Sequence, residues 1–486
     1  MNDPSTPFLL TKVGITTPLR IARSVLARES PITDLAQIHR WITDFGQQAY
    51  THVERVPLDK LVAWSSDPGS GNIRHDSGEF FSVEGLDVHI PAGPVEQWSQ
   101  PIINQPEIGI LGILVKEFDG VLHCLMQAKV EPGNCNGLQL SPTVQATRSN
   151  YTQVHRGKPV PYLDYFRHLS ARRVITDVRQ SEQGSWFNQK RNRNMVVEVT
   201  GDVELLDGFW WLTLGQLHQL LALDNLINMD ARTVLSCLPF RGSDLTTAFG
   251  VTGNDFVDAL IQSCNEEAPS VHSSDEILSW ITEARTRTDV FTKRVPLNDL
   301  PRWGWVDGKI SHESGRFFDV IGVGVTARGR EVNSWMQPMI EPHGTGIVAF
   351  LVRQIGGVVH ALVHARVEPG YVDVIELAPT VQCTPENYDA LPAAARPRFL
   401  DDVLAARPRD VRFEAVLSEE GGRFYHARNR YLIVEIDADV ALDHPDFRWM
   451  TLHQLVELLR HSHYVNVQAR SLVACLHSLA SGARPN

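Results

Sequence analysis

The chain of 486 residues is 43% apolar and 21% charged, enough to build two or three domains with cores of their own and too much for one small module. Its 45 basic against 57 acidic side chains give a formal charge of −12. Most of the surface therefore repels nucleic acid and anionic membranes, and an anionic ligand has to be met by a local basic cluster.

In chain order, the amino-terminal MNDPSTPFLLTKVGITTPLR does not read as a signal peptide, and no apolar run reaches the roughly 18 residues of a membrane helix. Residues 33–50 predict an amphipathic helix. Residues 109–115 and 121–126 predict two strands of a hairpin around the Phe118-Asp119-Gly120 turn, residues 195–199 a further strand, and residues 213–223 and 229–238 two helices. The succession then restarts, with a helix over 274–287, strands over 346–352, 358–363 and 431–436, and helical runs after them. Six cysteines are scattered with no C-x-x-C pair, which predicts reduced thiols in a cytoplasmic protein.

The restart is a repeat. Trp41-Ile42-Thr43 recurs as Trp280-Ile281-Thr282 and Arg55-Val56-Pro57-Leu58 as Arg294-Val295-Pro296-Leu297, while His75 to Tyr151 align without a gap on His312 to Tyr388. A period this long is a whole domain rather than a solenoid unit. The sequence thus predicts a tandem duplication of an α+β domain: a first repeat over 1–240, a linker over 241–273 rich in Gly, Ser, Thr and Asn, and a second repeat over 274–486. Within the linker, 255–264 has helical spacing and could pack on either half.

Three clusters occur in both repeats. Val130-Glu131-Pro132-Gly133 and Val367-Glu368-Pro369-Gly370 end a strand in a turn, which Pro-Gly alone would explain, leaving Glu131 and Glu368 either structural or catalytic. The run from Gln145 through Thr147, Arg148, Ser149, Asn150 and Tyr151, with Gln382, Thr384, Asn387 and Tyr388 in the second copy, offers neutral donors and acceptors suited to a nucleobase or sugar hydroxyls; a turn would need only the Asn and Thr. In Lys190-Arg191-Asn192-Arg193 and Ala427-Arg428-Asn429-Arg430 alternate arginines of a strand point to one side and could converge on one anion, the plain alternative being a solvated basic face.

His75 and His312 each sit in His-x-Ser-Gly-x-Phe-Phe without a metal-ligating partner at short spacing, so acid–base work suits them better than metal binding. Trp64, Trp98, Trp186, Trp305 and Trp335 lie near polar loops, where an indole could stack on a base or fill core. There is no P-loop and no G-x-G-x-x-G opening a helix, so neither common nucleotide fold is supported.

At these residues the chain resembles the NDP-hexose 2,3-dehydratases of deoxysugar biosynthesis. The resemblance runs from about Trp41 to Leu476 and rests on LMQAKVEPGNCNGLQLSPTVQATRSNY, SEQGSWFNQKRNRNM and NMDARTVLSCLP in the first repeat, and ARVEPG, ELAPTVQCTPENY, YHARNRY and NVQARSLVACL in the second. It implies two tandem Nudix-like α/β/α sandwich domains with mixed sheets, a homodimer, and a dTDP-sugar pocket in each domain with one active. Tyr371 departs from the pattern, standing where the first repeat has Asn134. Hydrolysis is not implied, because a Mg²⁺-binding Nudix box is absent; its nearest approach, Glu414 with Glu419-Glu420-Gly421, has the wrong spacing.

The implied substrate is dTDP-4-keto-6-deoxyglucose. Its C3 proton is acidic because the C4 ketone delocalises the carbanion, and the C2 hydroxyl lies β to that ketone, so a base, an enolate donor and an acid suffice, with no hydride acceptor or metal. The implied product is a 3,4-diketo-2,6-dideoxy sugar nucleotide, consumed by a 3-ketoreductase. On that chemistry the acid and base are expected among His75, Glu131 and Tyr151 or their copies His312, Glu368 and Tyr388. Arg191, Arg193, Arg428 and Arg430 would hold diphosphate, completed by Arg232 and Arg470 at the start of a late helix; Thr147, Arg148, Ser149, Asn150, Thr384 and Asn387 would orient base or sugar, and Trp64, Trp186 and Trp305 would stack. The competing classes are a metal-dependent nucleotide-sugar hydrolase and a non-catalytic sugar-nucleotide binder.

Overall fold

A computed structural model describes residues 16–30, 32–48, 51–91, 93–151, 159–169, 173–327, 333–437 and 444–482, with the side chains of 47, 48, 150 and 151 left out. The first repeat runs α1 (Thr17–Leu26), α2 (Leu35–Gln48), β1 (Thr51–Val56), β2 (Trp64–Ser66), β3 (Ile73–His75), β4 (Ser82–His89), β5 (Gln97–Asn104), β6 (Gly109–Phe118), β7 (Val121–Val130), β8 (Leu138–Ser141), β9 (Val144–Ala146), α3 (Arg148–Tyr151), α4 (Asp164–Arg167), β10 (Arg173–Ser181), β11 (Arg191–Glu198), β12 (Phe209–Thr213), α5 (Leu214–Leu221) and α6 (Met229–Ser236). Two helices follow, α7 (Ser243–Phe249) and α8 (Asp255–Gln262). The second repeat runs α9 (Ser274–Arg287), β13 (Phe291–Val295), β14 (Trp303–Val306), β15 (Lys309–His312), β16 (Phe318–Ala327), β17 (Ser334–Pro342), β18 (Gly346–Ile355), β19 (Val358–Val367), β20 (Ile375–Ala378), β21 (Val381–Cys383), α10 (Leu400–Leu404), β22 (Val411–Ser418), β23 (Arg428–Glu435), β24 (Phe447–Thr451), α11 (Leu452–Leu458) and α12 (Val467–Ala480).

Each repeat builds a seven-stranded mixed sheet. In the first its path is β10-β11-β6-β7-β12, with β8 on β7 and β9 on β6; β22-β23-β18-β19-β24 repeats it. The β6–β11 and β18–β23 pairs are parallel and their neighbours antiparallel, giving the α+β class. The β6–β7 hairpin closes at Asp119 and Gly120, both left-handed (φ 49° and 81°), which suits the twist of a two-residue connection.

The smaller sheets are assembled from both repeats. Strand β1 leaves its own repeat and pairs with β16, from Thr51 opposite Ala327 to Val56 opposite Gly322. Strand β13 makes the reciprocal crossing onto β4, from Phe291 opposite His89 to Val295 opposite Gly85. The two repeats are thereby woven together rather than strung on a linker.

A single large apolar core lies between the two seven-stranded sheets, joining Leu111, Ile113 and Val115 of β6 to Val348, Phe350 and Val352 of β18 through α5, α6 and α12. Outer faces are closed separately, by Phe166 of α4 on one sheet and Leu400 and Val403 of α10 on the other. Capping boxes start the central helices: Thr213 with Gln216, and Thr451 with Gln454.

The 241–273 segment differs from a plain linker. Its first helix packs on α1 and its second on β19 and α12. Ser263 Oγ, just after α8, donates to Val359 O as Ser24 Oγ of α1 donates to Leu122 O, so α8 is the second repeat's copy of α1. The first helix predicted from the sequence starts at residue 33 and so passes over α1, while the helical spacing over 255–264 is α8, which packs on the second repeat.

Candidate active site

A cavity of about 310 Å³ opens where the two repeats meet. The first repeat supplies Trp64, His75, Phe80 and Phe81 from the small sheet, Lys129 and Glu131 from the end of β7, Gln145 and Thr147 around β9, Lys190 and Asn192 around the start of β11, and Asp230 from α6. The second repeat supplies Trp335, Met336 and Gln337 of β17 and Glu420, Gly422 and Arg423 of the β22–β23 loop.

Glu131 is held by a relay that begins at a helix cap. Asn228 caps α6 through Ala231 N at 2.8 Å and donates from Nδ2 to Gln145 Oε1 at 3.2 Å; Gln145 Nε2 then donates to Glu131 Oε1 at 2.9 Å. Lys129 Nζ stands 3.7 Å from the same oxygen. Nothing in the Pro-Gly turn alone requires this arrangement.

His75 is fixed as a hydrogen-bond donor. Ser77 Oγ lies 2.6 Å from Nδ1, and the Ser77 backbone N–H, which can only donate, points at the same atom at 3.2 Å. Nδ1 is therefore the acceptor, and burial lowers the imidazole below its ordinary value, so the neutral ring carries its proton on Nε2. The ring stands edge-on to Trp64 at 5.3 Å and to Phe80 at 4.8 Å.

The cavity confines opposite charges in little water. Burial pushes the Glu420 carboxyl up to about 7 and the Lys190 ammonium down to about 8, and it holds Asp230 well above the usual carboxylate range. Burial lowers Arg423 as well, whose guanidinium lies 4.3 Å over the Phe81 ring. Glu420 Oε2, Asp230 Oδ1 and Gln105 Nε2 are buried without a hydrogen-bond partner among the described residues. A polar ligand would relieve all three. Groups poised near neutrality in a cleft are what proton transfer needs.

Of the residues singled out in the sequence, His75, Glu131, Trp64, Gln145, Thr147, Lys190 and Trp335 come together here. Ser149 is buried outside the cavity lining, donating to Glu107 and 3.1 Å from Thr147 Oγ1, and Arg148 is exposed beside it. The side chains of Asn150 and Tyr151 fall outside the described residues.

The arginines are placed differently from expectation. Arg191 and Arg193 do share a face of β11, but Asn192 and Lys190, of opposite parity, line the cavity; Arg193 pairs with Asp177 at 2.6 Å on the outer side. Arg430 pairs likewise with Glu414 at 2.7 Å, and Arg428 is exposed. Arg232 and Arg470 are fully buried between the repeats. Arg232 donates to Ile227 O and Ser418 O, each at 2.7 Å, and to Ser471 Oγ at 3.1 Å; Arg470 reaches Val465 O at 2.7 Å and also Ser181 O and Thr233 Oγ1. With their donors spent on carbonyls and hydroxyls of both repeats, they clamp the fold rather than await a phosphate. Trp305 is 43% exposed on β14, and Trp303 instead occupies the place of Trp64, edge-on to His312 at 5.2 Å.

Sequence reasoning passed over Lys129, Asp230 and Arg423, and weighed Glu420 only as part of an incomplete Nudix box. For all but Lys129, whose copy is Arg366, the signal that could have found them is divergence between the copies: Asp230, Glu420 and Arg423 align with Gln468, Gln183 and Trp186, as Lys190 does with Ala427.

A family model for NDP-hexose 2,3-dehydratase matches residues 35–238 and again 274–476. The chain belongs to the NDP-hexose 2,3-dehydratase family. Similar proteins include a dTDP-4-dehydro-6-deoxy-alpha-D-glucopyranose 2,3-dehydratase from Saccharopolyspora spinosa, 53% identical over 469 residues that cover 96% of each chain. Proteins of the same name from Amycolatopsis orientalis (49% over 471 residues, 96% of this chain and 95% of that one) and Streptomyces violaceoruber (49% over 455 residues, 92% and 98%) are also similar.

In this member of the 2,3-dehydratase family the two matched repeats carry unequal sites. Around Glu368 the acceptors are already taken: Gln382 Nε2 donates at 2.8 Å, Arg366 Nε at 3.1 Å and Ser185 N at 3.0 Å. Trp186, aligned with Arg423, packs edge-on to Phe424 at 4.6 Å and to Phe318 at 6.3 Å. Tyr388 is partly buried on a short 3-10 turn, where burial raises its phenol; Asn387 accepts from Phe317 N at 3.0 Å, and Thr384 O accepts from Asn387 N. Among the described residues no three His, Cys, Asp or Glu side chains are grouped to hold a metal ion, and no helix is long and apolar enough to cross a membrane.

Proposed function

We propose that the protein is a dTDP-4-keto-6-deoxyglucose 2,3-dehydratase, a carbon–oxygen lyase, that works in the first-repeat cavity. The observation that carries the reading is the cavity itself, in which Glu131, His75, Lys190 and Glu420 face one space and the copies of Lys190 and Glu420 are Ala427 and Gln183. Glu131, oriented by Gln145, removes the C3 proton. The Nε2–H of neutral His75 donates to the C4 oxygen as charge develops there, with Lys190 supplying positive charge nearby. Lys129 and Arg423 offer the cationic groups that a diphosphate requires, and Trp64 and Trp335 offer faces for a base or sugar.

Loss of water from C2 gives an enol that becomes the 3,4-diketo-2,6-dideoxy sugar. That product is reactive, so a 3-ketoreductase is its natural consumer. The reading extends to a homodimer of tandem Nudix-like α/β/α domains acting in the cytoplasm. Two mixed sheets covered on both faces support the first point and six free thiols the last.

Incubation with dTDP-4-keto-6-deoxyglucose, EDTA, a 3-ketoreductase and NADPH tests it. A 2-deoxy sugar nucleotide is the expected product. Release of a sugar phosphate that EDTA abolishes would favour hydrolysis, and bound but unchanged substrate would favour a mere binder.

A further inference from the structure

The dehydratase reading leaves open what protonates the departing hydroxyl, and this inference rests on that reading. We propose that Glu420, supplied by the second repeat, is the general acid for the C2 hydroxyl of a sugar held in the first repeat's cavity.

The geometry comes first. Glu420 sits on a loop clamped over the Glu131–Gly133 turn: Gly133 N donates to Gly421 O at 2.7 Å, and His426 N donates to Gly133 O at 2.9 Å. A methyl group on Gly421 would lie 3.0 Å from Glu131 Cβ, so the two carboxyl-bearing segments touch. Both side chains line the one cavity, and Glu420 Oε2 has no hydrogen-bond partner among the described residues. A carboxylic acid with an unused O–H is what an alcohol oxygen would meet there.

The charge state agrees. Burial, with the carboxylates of Glu182 and Glu131 nearby, raises Glu420 to about 7 against the opposing pull of Arg423 and Lys190. Near neutral pH a large share of the molecules hold it protonated, while Glu131 stands 3.7 Å from the Lys129 ammonium and accepts from Gln145. One cavity thus holds two carboxyl groups in different environments, the usual sign of separate acid and base roles.

The second copy supplies a natural comparison. Its equivalent of Glu420 is Gln183, a side chain of the same shape with no proton to give, and Lys190 and Asp230 are replaced there by Ala427 and Gln468. The Glu of the turn is kept as Glu368. What the second copy has lost is the proton donor, and what it has kept is the carboxylate its fold also uses.

The step balances. Glu131 takes the C3 proton and the electron pair forms the enolate. That pair then forms the C2=C3 bond as the C2–O bond breaks, and the oxygen leaves with the Glu420 proton as water. On ketonisation C2 gains a proton and the 3-hydroxyl loses one, so only water is lost overall.

C3 exchange in D₂O separates the two proton transfers. The full-length protein, E420Q and E420D are incubated with dTDP-4-keto-6-deoxyglucose, and deuterium at C3 of recovered substrate is read by mass spectrometry alongside trapped 2-deoxy product. E420Q is expected to keep C3 exchange within about threefold while losing elimination by about 100-fold or more. E420D, with its acid one methylene shorter, should retain part of the elimination, and dTDP affinity unchanged in both shows that they are folded. In the wild type, elimination should fall as pH rises above about 7. Equal loss of exchange and elimination in E420Q, or elimination at the wild-type rate, would overturn the assignment. A wild-type protein that neither exchanges C3 nor eliminates would instead overturn the dehydratase reading, and this assignment with it.

Discussion

Gly133 donates its backbone N–H to the carbonyl of Gly421 at 2.7 Å, and the mirror bond from Gly370 to Gly184 has the same length. Each repeat therefore presses a loop onto the other's Glu-Pro-Gly turn, and the contact is backbone to backbone. A Cβ on Gly133 would sit 1.8 Å from Phe424 O, with no flexible side chain to yield. G133A should cost roughly 1–3 kcal/mol of stability and cut turnover at least tenfold by shifting Glu131 against Glu420. Thermal melts and the coupled ketoreductase assay read the two effects.

The tautomer of His75 makes a second prediction. If its Nε2–H stabilises charge on the C4 oxygen, H75A should lower kcat about 100-fold, the usual cost of losing one such donor, with little change in KM. S77A removes the hydroxyl at Nδ1 but keeps the backbone N–H that donates to the same atom, so the tautomer is held less firmly and kcat should fall by a smaller factor. A His75 base limb near the ordinary histidine value in the pH–rate profile would contradict the donor role, since burial lowers this ring.

Arginine placement separates fold from function. Arg232 is fully buried with donors directed at both repeats, so R232A leaves several polar groups unpaired and should cost about 3–5 kcal/mol. R193A removes a partly exposed pair with Asp177 and should cost under about 1 kcal/mol, with turnover and dTDP affinity near wild type. Denaturant titration of the two variants measures the difference, and a large loss of dTDP affinity in R193A would return it to the phosphate site.

These contrasts show which parts of the site were legible. The duplication, the central hairpins and the Glu131 and His75 motifs are local patterns, and they survive folding because strand parity and turn chemistry are local. Arg193 against Asn192 turns on which face of β11 looks inward, a choice made by packing on α6 and α12 rather than by alternation itself. The placement of Glu420 and Arg423 was invisible for a different reason: they complete a cavity that belongs to the other repeat, and no spacing in a sequence encodes a contact between repeats. Arg232 misled because a buried arginine and a phosphate-binding one look alike until their hydrogen-bond partners are known.

Burial of Glu420 has a consequence for stability as well as for catalysis. Its carboxyl rises from an ordinary 4.5 to about 7, so the folded chain holds a proton that the unfolded chain releases at lower pH. The stability it contributes is full below about 4.5 and is lost as pH climbs through about 7. Gln stays neutral throughout. E420Q should therefore gain a few degrees in Tm relative to wild type when calorimetry at pH 8 is compared with pH 5, and a difference independent of pH would rule out a raised Glu420.

Strand exchange makes the two repeats interdependent. β1 completes the sheet of β16, and β13 that of β4, while Arg232 and Arg470 bond carbonyls across the same interface. A chain cut between α7 and α8, near residue 252, severs no described strand, because only helices lie between β12 and β13. Each fragment expressed alone leaves a strand unpaired, a buried guanidinium without its acceptors and half a cavity, and should be insoluble or molten. Co-expressed, the fragments should associate one to one and recover dehydration, since the lost tether costs only entropy that the extensive interface opposes. Size-exclusion chromatography and the coupled assay measure both, and a first-repeat fragment that folded and turned over alone would show that the second repeat's loop is dispensable.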